Sequence, residues 1–199
     1  MSEDALSAQE AQAETKRFTV VLVTIYSVEN AGIRYVSAAL QRAGFETHII
    51  FLRDWVHNRL EMPSDRDIQM ALDIIREKGA DIVGLGFMSS LFSMAKKVTE
   101  DIQAEFPEMP IMWGGIHPTS VPEECIPHCD YVCIGEGEKA AIDLCEAIRD
   151  GGDVTNIPNI WARWTARSSE TSLDPSSKTS TGCPIPTRRM RISSTSSRP

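Results

Sequence analysis

Apolar residues along the chain are arranged in two alternating patterns. In the first pattern, apolar and β-branched residues follow one another in short runs: FTVVLVTIY, THIIFL, ADIVGLGF, MPIMWGG and CDYVCIG. Such runs are typical of strands that are buried on both faces of a parallel sheet. The second pattern separates these runs and repeats every three or four residues, which is the period of an amphipathic helix. We therefore expect strand and helix to alternate along the chain.

Four segments have the helical period. They are NAGIRYVSAALQRAGF, DRDIQMALDIIREK, SLFSMAKKVTEDIQAEF and GEKAAIDLCEAIRDGG. The second segment, Asp65 to Lys78, is followed by Gly79, and Gly44 stands near the end of the first. Glycine readily adopts the left-handed conformation that ends a helix, so these two glycines mark predicted helix ends.

Strands that alternate with helices predict right-handed crossovers and a parallel sheet between two helical layers. The predicted fold class is therefore α/β: a doubly wound, flavodoxin-like or Rossmann-like domain with a parallel five-stranded sheet and helices on both faces. We place this domain over residues 18–163, and the segment NIPNIWAR near its end is a weaker sixth strand candidate.

Both ends of the chain differ from this domain in composition. Residues 1–17 are polar and lack the apolar segment of a secretory signal, so we predict a disordered N-terminal extension. Residues 164–199 are dominated by Ser and Thr, which predicts a disordered tail. No apolar run reaches the roughly 18 residues of a membrane span, and we expect a cytoplasmic protein. The net charge of −8 disfavours a nucleic-acid partner.

The cysteines are the first candidate site. Cys125, Cys129 and Cys133 are spaced four residues apart, superficially like an iron–sulfur ligand loop. However, Pro127 separates the first two, and Cys133 lies within the apolar run YVCIG, where a small buried residue is the more common role. Cys145 lies in the apolar stripe of a helix. We therefore predict buried thiols, and we assign no residue to a metal and none to catalysis.

The carboxyl ends of the predicted strands form the second candidate site, because ligands of open parallel sheets bind there. The loops at those ends are YSVENAG, MSSL, GGIHPT and GEGE, all rich in Gly, Ser or other polar residues. Each glycine pair also occurs in ordinary turns. The segments GLGFMS and GEGEK depart from the known phosphate-binding motifs. Four such loops at one edge predict a ligand, with a nucleotide not the first choice.

A family resemblance rests on four segments in this order and spacing: GIRYVSAALQRAGFE, ADIVGLGFMSS, IMWGGIHPTSVPEE and YVCIGEGE. Over residues 18–163 the chain resembles the cobalamin-binding domain of cobalamin-dependent radical S-adenosylmethionine enzymes. Other cobalamin domains carry D-x-H-x-x-G in the first loop, whose His ligates cobalt, followed by S-x-L and GG. The segment Ser89 to Leu91 and the pair Gly114 and Gly115 match the last two, whereas Ser27 and Glu29 replace the Asp and the His.

The resemblance implies that cobalamin is held without a His from the first loop, with its dimethylbenzimidazole base away from the cobalt. The base would occupy a pocket between the sheet and its flanking helices. His117 is the alternative cobalt ligand, although it could instead fix the turn before Pro118 or bind a corrin amide. We expect Glu138 to favour the start of a helix through its negative charge. The loop residues implied as cofactor contacts are Tyr26, Ser27, Val28, Met88, Ser89, Ser90, Gly114, Gly115, His117, Gly135, Glu136 and Gly137.

In that family, a barrel domain with C-x-x-x-C-x-x-C follows and holds an iron–sulfur cluster that cleaves S-adenosylmethionine. Here only Cys183 follows Cys145. Read in another frame with G/C-leaning codons, the tail from Trp164 can yield DGEVIRNLPRPLVEDLDGLPYPD, which resembles the linker of that family. We therefore expect a truncated fragment of a longer methyltransferase or oxidative cyclase, with the radical barrel as its partner, and whether the chain itself is an enzyme is left open.

Two alternatives remain from the sequence. One is a stand-alone flavodoxin-like binding or sensory module, for cobalamin or flavin, with the Ser/Thr-rich tail as a genuine linker. The other is a domain that binds no ligand and aggregates, because the apolar surface that normally meets the barrel is exposed.

Overall fold

The structure is a computed structural model, and it describes residues 17–26, 30–53 and 60–163. The predicted N-terminal extension, the predicted tail with its proposed change of frame, and the site candidates Ser27 and Val28 lie outside these residues. Those assignments stay predictions.

Six strands form one sheet in the order β2-β1-β3-β4-β5-β6. The strands are β1 (Thr19–Thr24), β2 (Glu46–Phe51), β3 (Ile82–Gly86), β4 (Ile111–Gly114), β5 (Tyr131–Cys133) and β6 (Ile160–Ala162). The first five are parallel, which confirms the predicted five-stranded parallel sheet. The weaker sixth candidate is also a strand, but it runs antiparallel to β5. It pairs with the free edge of β5 after the chain has returned through α6, through Tyr131↔Ala162, Val132↔Trp161 and Cys133↔Ile160.

Six helices accompany the sheet: α1 (Ala31–Arg42), α2 (Asp65–Lys78), α3 (Phe92–Glu105), α4 (Ile116–Ser120), α5 (Pro122–Cys125) and α6 (Gly137–Asp150). A 3-10 turn, Ser89–Leu91, precedes α3. The four long helices confirm the four segments with helical period. The segment GGIHPT, which the sequence predicts to be a loop, instead contains α4.

Local signals explain where α2 begins and ends. The Ser64 side chain accepts a hydrogen bond from the Asp67 backbone N–H, and the Asp67 carboxylate accepts one from the Ser64 backbone N–H, which forms a capping box. Gly79 ends the helix in the left-handed conformation at φ 61°. These contacts are local in sequence, which is why the predicted and observed bounds of α2 agree.

The sheet separates two apolar cores. On one face, α1 and α6 pack against alternate strand residues such as Leu22, Met112 and Cys133. On the other face, α2, α3 and the Cys125 end of α5 pack against residues such as Val83 and Trp113. Both faces are therefore covered by helices, as predicted for a doubly wound domain. In the described part of the chain, no helix is long and apolar enough to cross a bilayer, and a cytoplasmic location stays a prediction.

Candidate functional site

A cavity of about 130 Å³ lies between α1 and α6, over the carboxyl halves of four neighbouring parallel strands. This is the edge at which the sequence predicts a ligand. The cavity is lined by Leu22, Gly32, Ile33, Val36, Gly84, Leu85, Gly86, Met112, Gly114, Gly115, Cys133, Gly135, Glu136, Gly137 and Glu138.

Glycines form the floor of this cavity. Gly84 and Gly86 are alternate residues of β3, and Gly86 is the register partner of Gly114 on β4. A Cβ atom at Gly84 would lie 2.8 Å from Leu22 Cδ2, so the neighbouring side chains already close over this position. At Gly86 and Gly114 a Cβ would have its nearest neighbour at 3.7 Å and 3.6 Å, an ordinary contact. Bare backbone at these two positions therefore leaves room for a flat group.

Gly115 brings the loop after β4 into direct contact with the loop after β3. Its φ of 102° favours glycine, and a Cβ there would lie only 2.7 Å from the carbonyl oxygen of Phe87. Two backbone hydrogen bonds join the same loops: the Phe87 N–H donates to Gly114 O at 3.1 Å, and the His117 N–H donates to Phe87 O at 3.4 Å. The two loops are thus held at a fixed separation.

Thr119, in α4, joins the loop after β4 to the loop after β5. Its hydroxyl donates to the Gly115 carbonyl oxygen at 2.7 Å and accepts from the Gly135 backbone N–H at 3.0 Å. Sequence reasoning did not assign a role to Thr119. The signal that could have identified it is a hydroxyl side chain within the glycine-rich segment GGIHPT.

His117 does not line the cavity. Its ring is buried and packs against Phe87, at 5.8 Å between ring centroids, and against Phe92, at 4.8 Å. Phe87 belongs to the core on the opposite face of the sheet from the cavity. The His117 Nδ1 atom lies 3.1 Å from Ser89 Oγ, and among the described residues no partner is found for the buried Nε2. His117 therefore connects the loops after β3 and β4, and its predicted approach to cobalt or corrin stays a prediction.

Tyr26 also has its side chain away from the cavity. It is buried, its backbone is left-handed at φ 57°, and its hydroxyl donates to the Glu61 carbonyl oxygen at 2.5 Å. The same hydroxyl accepts from the Glu61 backbone N–H at 2.9 Å. These contacts tie the end of β1 to the segment before α2.

The remaining predicted contacts fall into two groups. Met88, just before the 3-10 turn, and Ser89 and Ser90 within it are exposed and are not among the lining residues. Five of the predicted residues do line the cavity, and the structure brings them together: Gly114, Gly115, Gly135, Glu136 and Gly137.

Sequence reasoning missed the lining residues that lie within strands and helices, such as Gly84, Gly86, Ile33 and Val36. The alternating glycines of the buried run IVGLG were a usable signal, because glycine in a strand interior often marks a close approach of a ligand or another backbone. Cys133 was predicted to be a small core residue, and it is buried as expected, but it also lines the cavity.

The charged side chains at the cavity are both carboxylates. Glu136 is the N-cap residue of α6, without a side-chain capping hydrogen bond, and Glu138 lies in the first turn, where it was expected. Among the residues that the structure describes, no Lys, Arg or His lines the cavity. The cavity is therefore apolar on its floor and acidic where α6 begins.

The thiols of the cysteine motif are divided between the two faces of the sheet. Cys125 and Cys129 belong to one core, and Cys133 and Cys145 belong to the other. Burial raises the pKa of Cys125 and Cys133 to about 11 and that of Cys145 to about 12, so these thiols stay protonated at neutral pH. Within residues 17–26, 30–53 and 60–163, no cluster of three or more His, Cys, Asp or Glu could hold a metal ion.

Comparisons with known proteins concern the same part of the chain. Residues 16–144 match the family model of the B12 binding domain, whereas a search of curated proteins gave no match. One similar solved structure is the radical S-adenosylmethionine methyltransferase TsrM from Kitasatospora setae with cobalamin and an iron–sulfur cluster bound. The two share 20% identity at a TM-score of 0.59, over 72% of this chain and 27% of that one.

A second similar structure is the cobalamin-dependent S-adenosylmethionine radical enzyme OxsB, in its apo form. It shares 18% identity at a TM-score of 0.55, over 73% of this chain and 20% of that one. The chain thus spans between 20% and 27% of the length of these two structures. At such identities the likeness is one of fold.

Proposed function

The chain belongs to the B12-binding domain family, and on this premise we propose that it holds cobalamin as the cofactor domain of a radical S-adenosylmethionine enzyme. The enzyme would be of the methyltransferase or oxidative cyclase type. The observation that carries the proposal is the glycine-floored cavity between α1 and α6, which would take the dimethylbenzimidazole base of a base-off cobalamin. Bound cobalamin supplies a methyl group or electrons, and the residues of this chain would position it.

The cavity fits a flat, uncharged ring. The missing side chains at Gly86 and Gly114 leave the backbone of β3 and β4 accessible, while Ile33 and Val36 of α1 supply an apolar wall. A ring buried there would gain roughly 25 cal/mol for each Å² of apolar surface removed from water. This supports a cofactor with an aromatic tail.

Base-off binding without a His from the first loop is supported by two observations. Glu29 stands at the position where related cobalamin domains have their cobalt-ligating His, although it lies outside the described residues. In addition, none of the described lining residues carries an imidazole, and the ring of His117 packs instead against Phe87 and Phe92. A carboxylate is a hard ligand and a poor replacement for imidazole at cobalt.

The flavin alternative is less well supported by the charges at the site. A flavin mononucleotide carries a terminal phosphate, which proteins hold with cationic side chains or with free backbone N–H groups. The lining residues within the described ranges offer two carboxylates, Glu136 and Glu138, and no basic side chain. The Gly135 N–H is already engaged by Thr119. These carboxylates should repel the phosphomonoester of flavin mononucleotide, which carries nearly two negative charges, more than the singly charged phosphodiester of cobalamin.

A radical barrel as partner is supported by the similar structures, because the matched part makes up only 27% and 20% of their chains. The out-of-frame tail gives this part of the proposal its own test. Sequencing the gene across codon 163 should reveal linker codons and C-x-x-x-C-x-x-C in another frame. A gene that encodes neither would overturn the fragment proposal and favour the stand-alone module.

The cofactor proposal is tested by anaerobic titration of the purified chain with hydroxocobalamin, methylcobalamin and flavin mononucleotide. We expect stoichiometric retention of the two cobalamins through gel filtration, with a base-off visible spectrum, and no retention of flavin. A folded chain that retains neither cobalamin would refute the proposal, and retention of flavin alone would select the alternative module.

A cavity-filling variant shows whether retention depends on this site. Gly86→Val adds a side chain where a Cβ is sterically tolerated, so it should abolish cobalamin retention while leaving the fold intact by circular dichroism. Ala38→Val changes an exposed position of α1 and serves as the matched control. Equal cobalamin retention by the two variants would place the binding site elsewhere.

A further inference from the structure

Resting on the proposed function, we infer that the cavity selects among corrinoids by their lower base. It accepts an apolar ring, such as dimethylbenzimidazole or a phenol, and it discriminates against a purine. The inference concerns the strand side of the cavity, where the side chains are apolar and the backbone is paired within the sheet, so that a buried base finds almost no hydrogen-bond partner.

The deep walls of the cavity are apolar. Leu22, Gly84 and Met112 are register partners on three adjacent strands, so the two side chains flank and close over the bare glycine. A Cβ at Gly84 would lie 2.8 Å from Leu22 Cδ2 and 3.4 Å from Met112 Cε. Ile33 of α1 and the Cys133 thiol complete this part of the lining, and a thiol is only a weak hydrogen-bond donor.

The strand backbone that lines the cavity is already occupied, whereas the first N–H groups of α6 have no side-chain cap. β3 is paired with β1 on one side and with β4 on the other, so its N–H and C=O groups are used within the sheet. In the loops, Gly114 O accepts from the Phe87 N–H, Gly115 O accepts from the Thr119 hydroxyl, and the Gly135 N–H donates to the same hydroxyl. The two carboxylates belong to the first residues of α6, on the helix side of the cavity and not on its strand floor.

This arrangement sets an energetic difference between lower bases. Adenine carries an exocyclic amine and several ring nitrogens, whereas dimethylbenzimidazole carries two methyl groups and fewer polar atoms. A polar group that is buried without a partner loses its hydrogen bonds to water. One such group lowers affinity by roughly tenfold or more, so a purine lower base should bind at least tenfold more weakly.

The experiment compares the dissociation constants of cobalamin and adenylcobamide for the whole chain, measured anaerobically by visible spectroscopy. Both corrinoids share the same ring and phosphodiester, so the difference reports on the lower base. Cobalamin should bind at least tenfold more tightly. Equal affinities would overturn this inference and leave the proposed function standing, whereas a failure to bind either corrinoid would overturn the proposed function itself.

A single substitution tests whether Cys133 is a specificity-determining residue. Cys133→Ser replaces a weak hydrogen-bond donor with a hydroxyl that can pair with a purine nitrogen. It should therefore lower the ratio of the adenylcobamide dissociation constant to the cobalamin dissociation constant several-fold. Cys145→Ser is the matched control, because Cys145 is equally buried in the same core but does not line the cavity. An unchanged preference in Cys133→Ser, or an equal change in both variants, would contradict selection within the cavity.

Discussion

Replacing Gly115 with alanine should destabilise the domain more than any other single added methyl group at its glycine turns. The added Cβ would lie 2.7 Å from the carbonyl oxygen and 3.0 Å from the nitrogen of Phe87. Phe87 cannot move away easily, because its N–H donates to Gly114 O and its carbonyl accepts from the His117 N–H. The clash is therefore between two stretches of backbone.

Two costs add up at this position. The backbone of Gly115, at φ 102° and ψ −163°, lies in a region that is essentially reserved for glycine, and holding another residue there costs about 1–3 kcal/mol. Crowding a packed site with an extra methyl group costs about 1–3 kcal/mol more. We expect a total loss of about 2–6 kcal/mol from a domain whose free energy of unfolding is about 5–15 kcal/mol, the range for natural domains.

Gly44→Ala is the matched control. Gly44 also has a positive φ, 91°, but a Cβ there would meet no atom within 4 Å, so this variant has conformational strain without a clash. Urea unfolding of both variants, followed by circular dichroism and by the fluorescence of buried Trp113, measures the difference in midpoint. If Gly115→Ala unfolds at the same urea concentration as Gly44→Ala, the close approach to Phe87 does not contribute to stability.

Two further predictions concern a hydroxyl and the thiols. Thr119→Val removes both hydrogen bonds of that hydroxyl and should lower the free energy of unfolding by about 1 kcal/mol, whereas Thr119→Ser should be as stable as the parent. If both variants unfold at the same urea concentration, the hydroxyl does not stabilise the contact between the loops after β4 and β5. The pKa of Cys125 and of Cys133 is about 11 in the native cores and 9.0 for an unperturbed thiol, so these thiols release protons when the domain unfolds above pH 9. The free energy of unfolding should therefore be constant below about pH 9 and should fall above it, by up to about 1.4 kcal/mol per pH unit for each thiol. Urea midpoints in reducing buffer at several pH values measure this slope, and an unchanged midpoint up to pH 10 would contradict it; the described buried thiols are Cys125, Cys129, Cys133 and Cys145.

Elements defined by local signals could be predicted from the sequence. The bounds of α2 agree to the residue because Ser64, Asp67 and Gly79 form its caps within a few positions of the helix itself. The direction of β6 and the existence of α4 could not be predicted in the same way. The direction of β6 is set by its pairing with β5 in the folded sheet, which no local pattern reveals. The helix α4 contains a proline and only five residues, too few to show a helical period.

The candidate site was predicted in position but only partly in composition. Loops at the carboxyl ends of the strands were identified by topology, and the glycines of two of them line the cavity. The side chains of Tyr26 and His117 face elsewhere, because each is held by a contact that is distant in sequence: Glu61 for the former, and Ser89 for the latter. Orientation set by such contacts cannot be read from the position of a residue in a loop.

The segment GGIHPT shows why a motif can identify a binding site without supplying most of its contacts. Gly115, His117 and Thr119 bind to the loops after β3, β4 and β5 and hold those loops in register around the cavity. The surface available to a ligand comes instead from Gly86 and from Gly114, the first residue of the segment, which have no side chain to obstruct it. Substitutions at Gly115, His117 or Thr119 should therefore lower stability first and affinity as a consequence, whereas substitutions at Gly86 or Gly114 should lower affinity in a chain that remains folded.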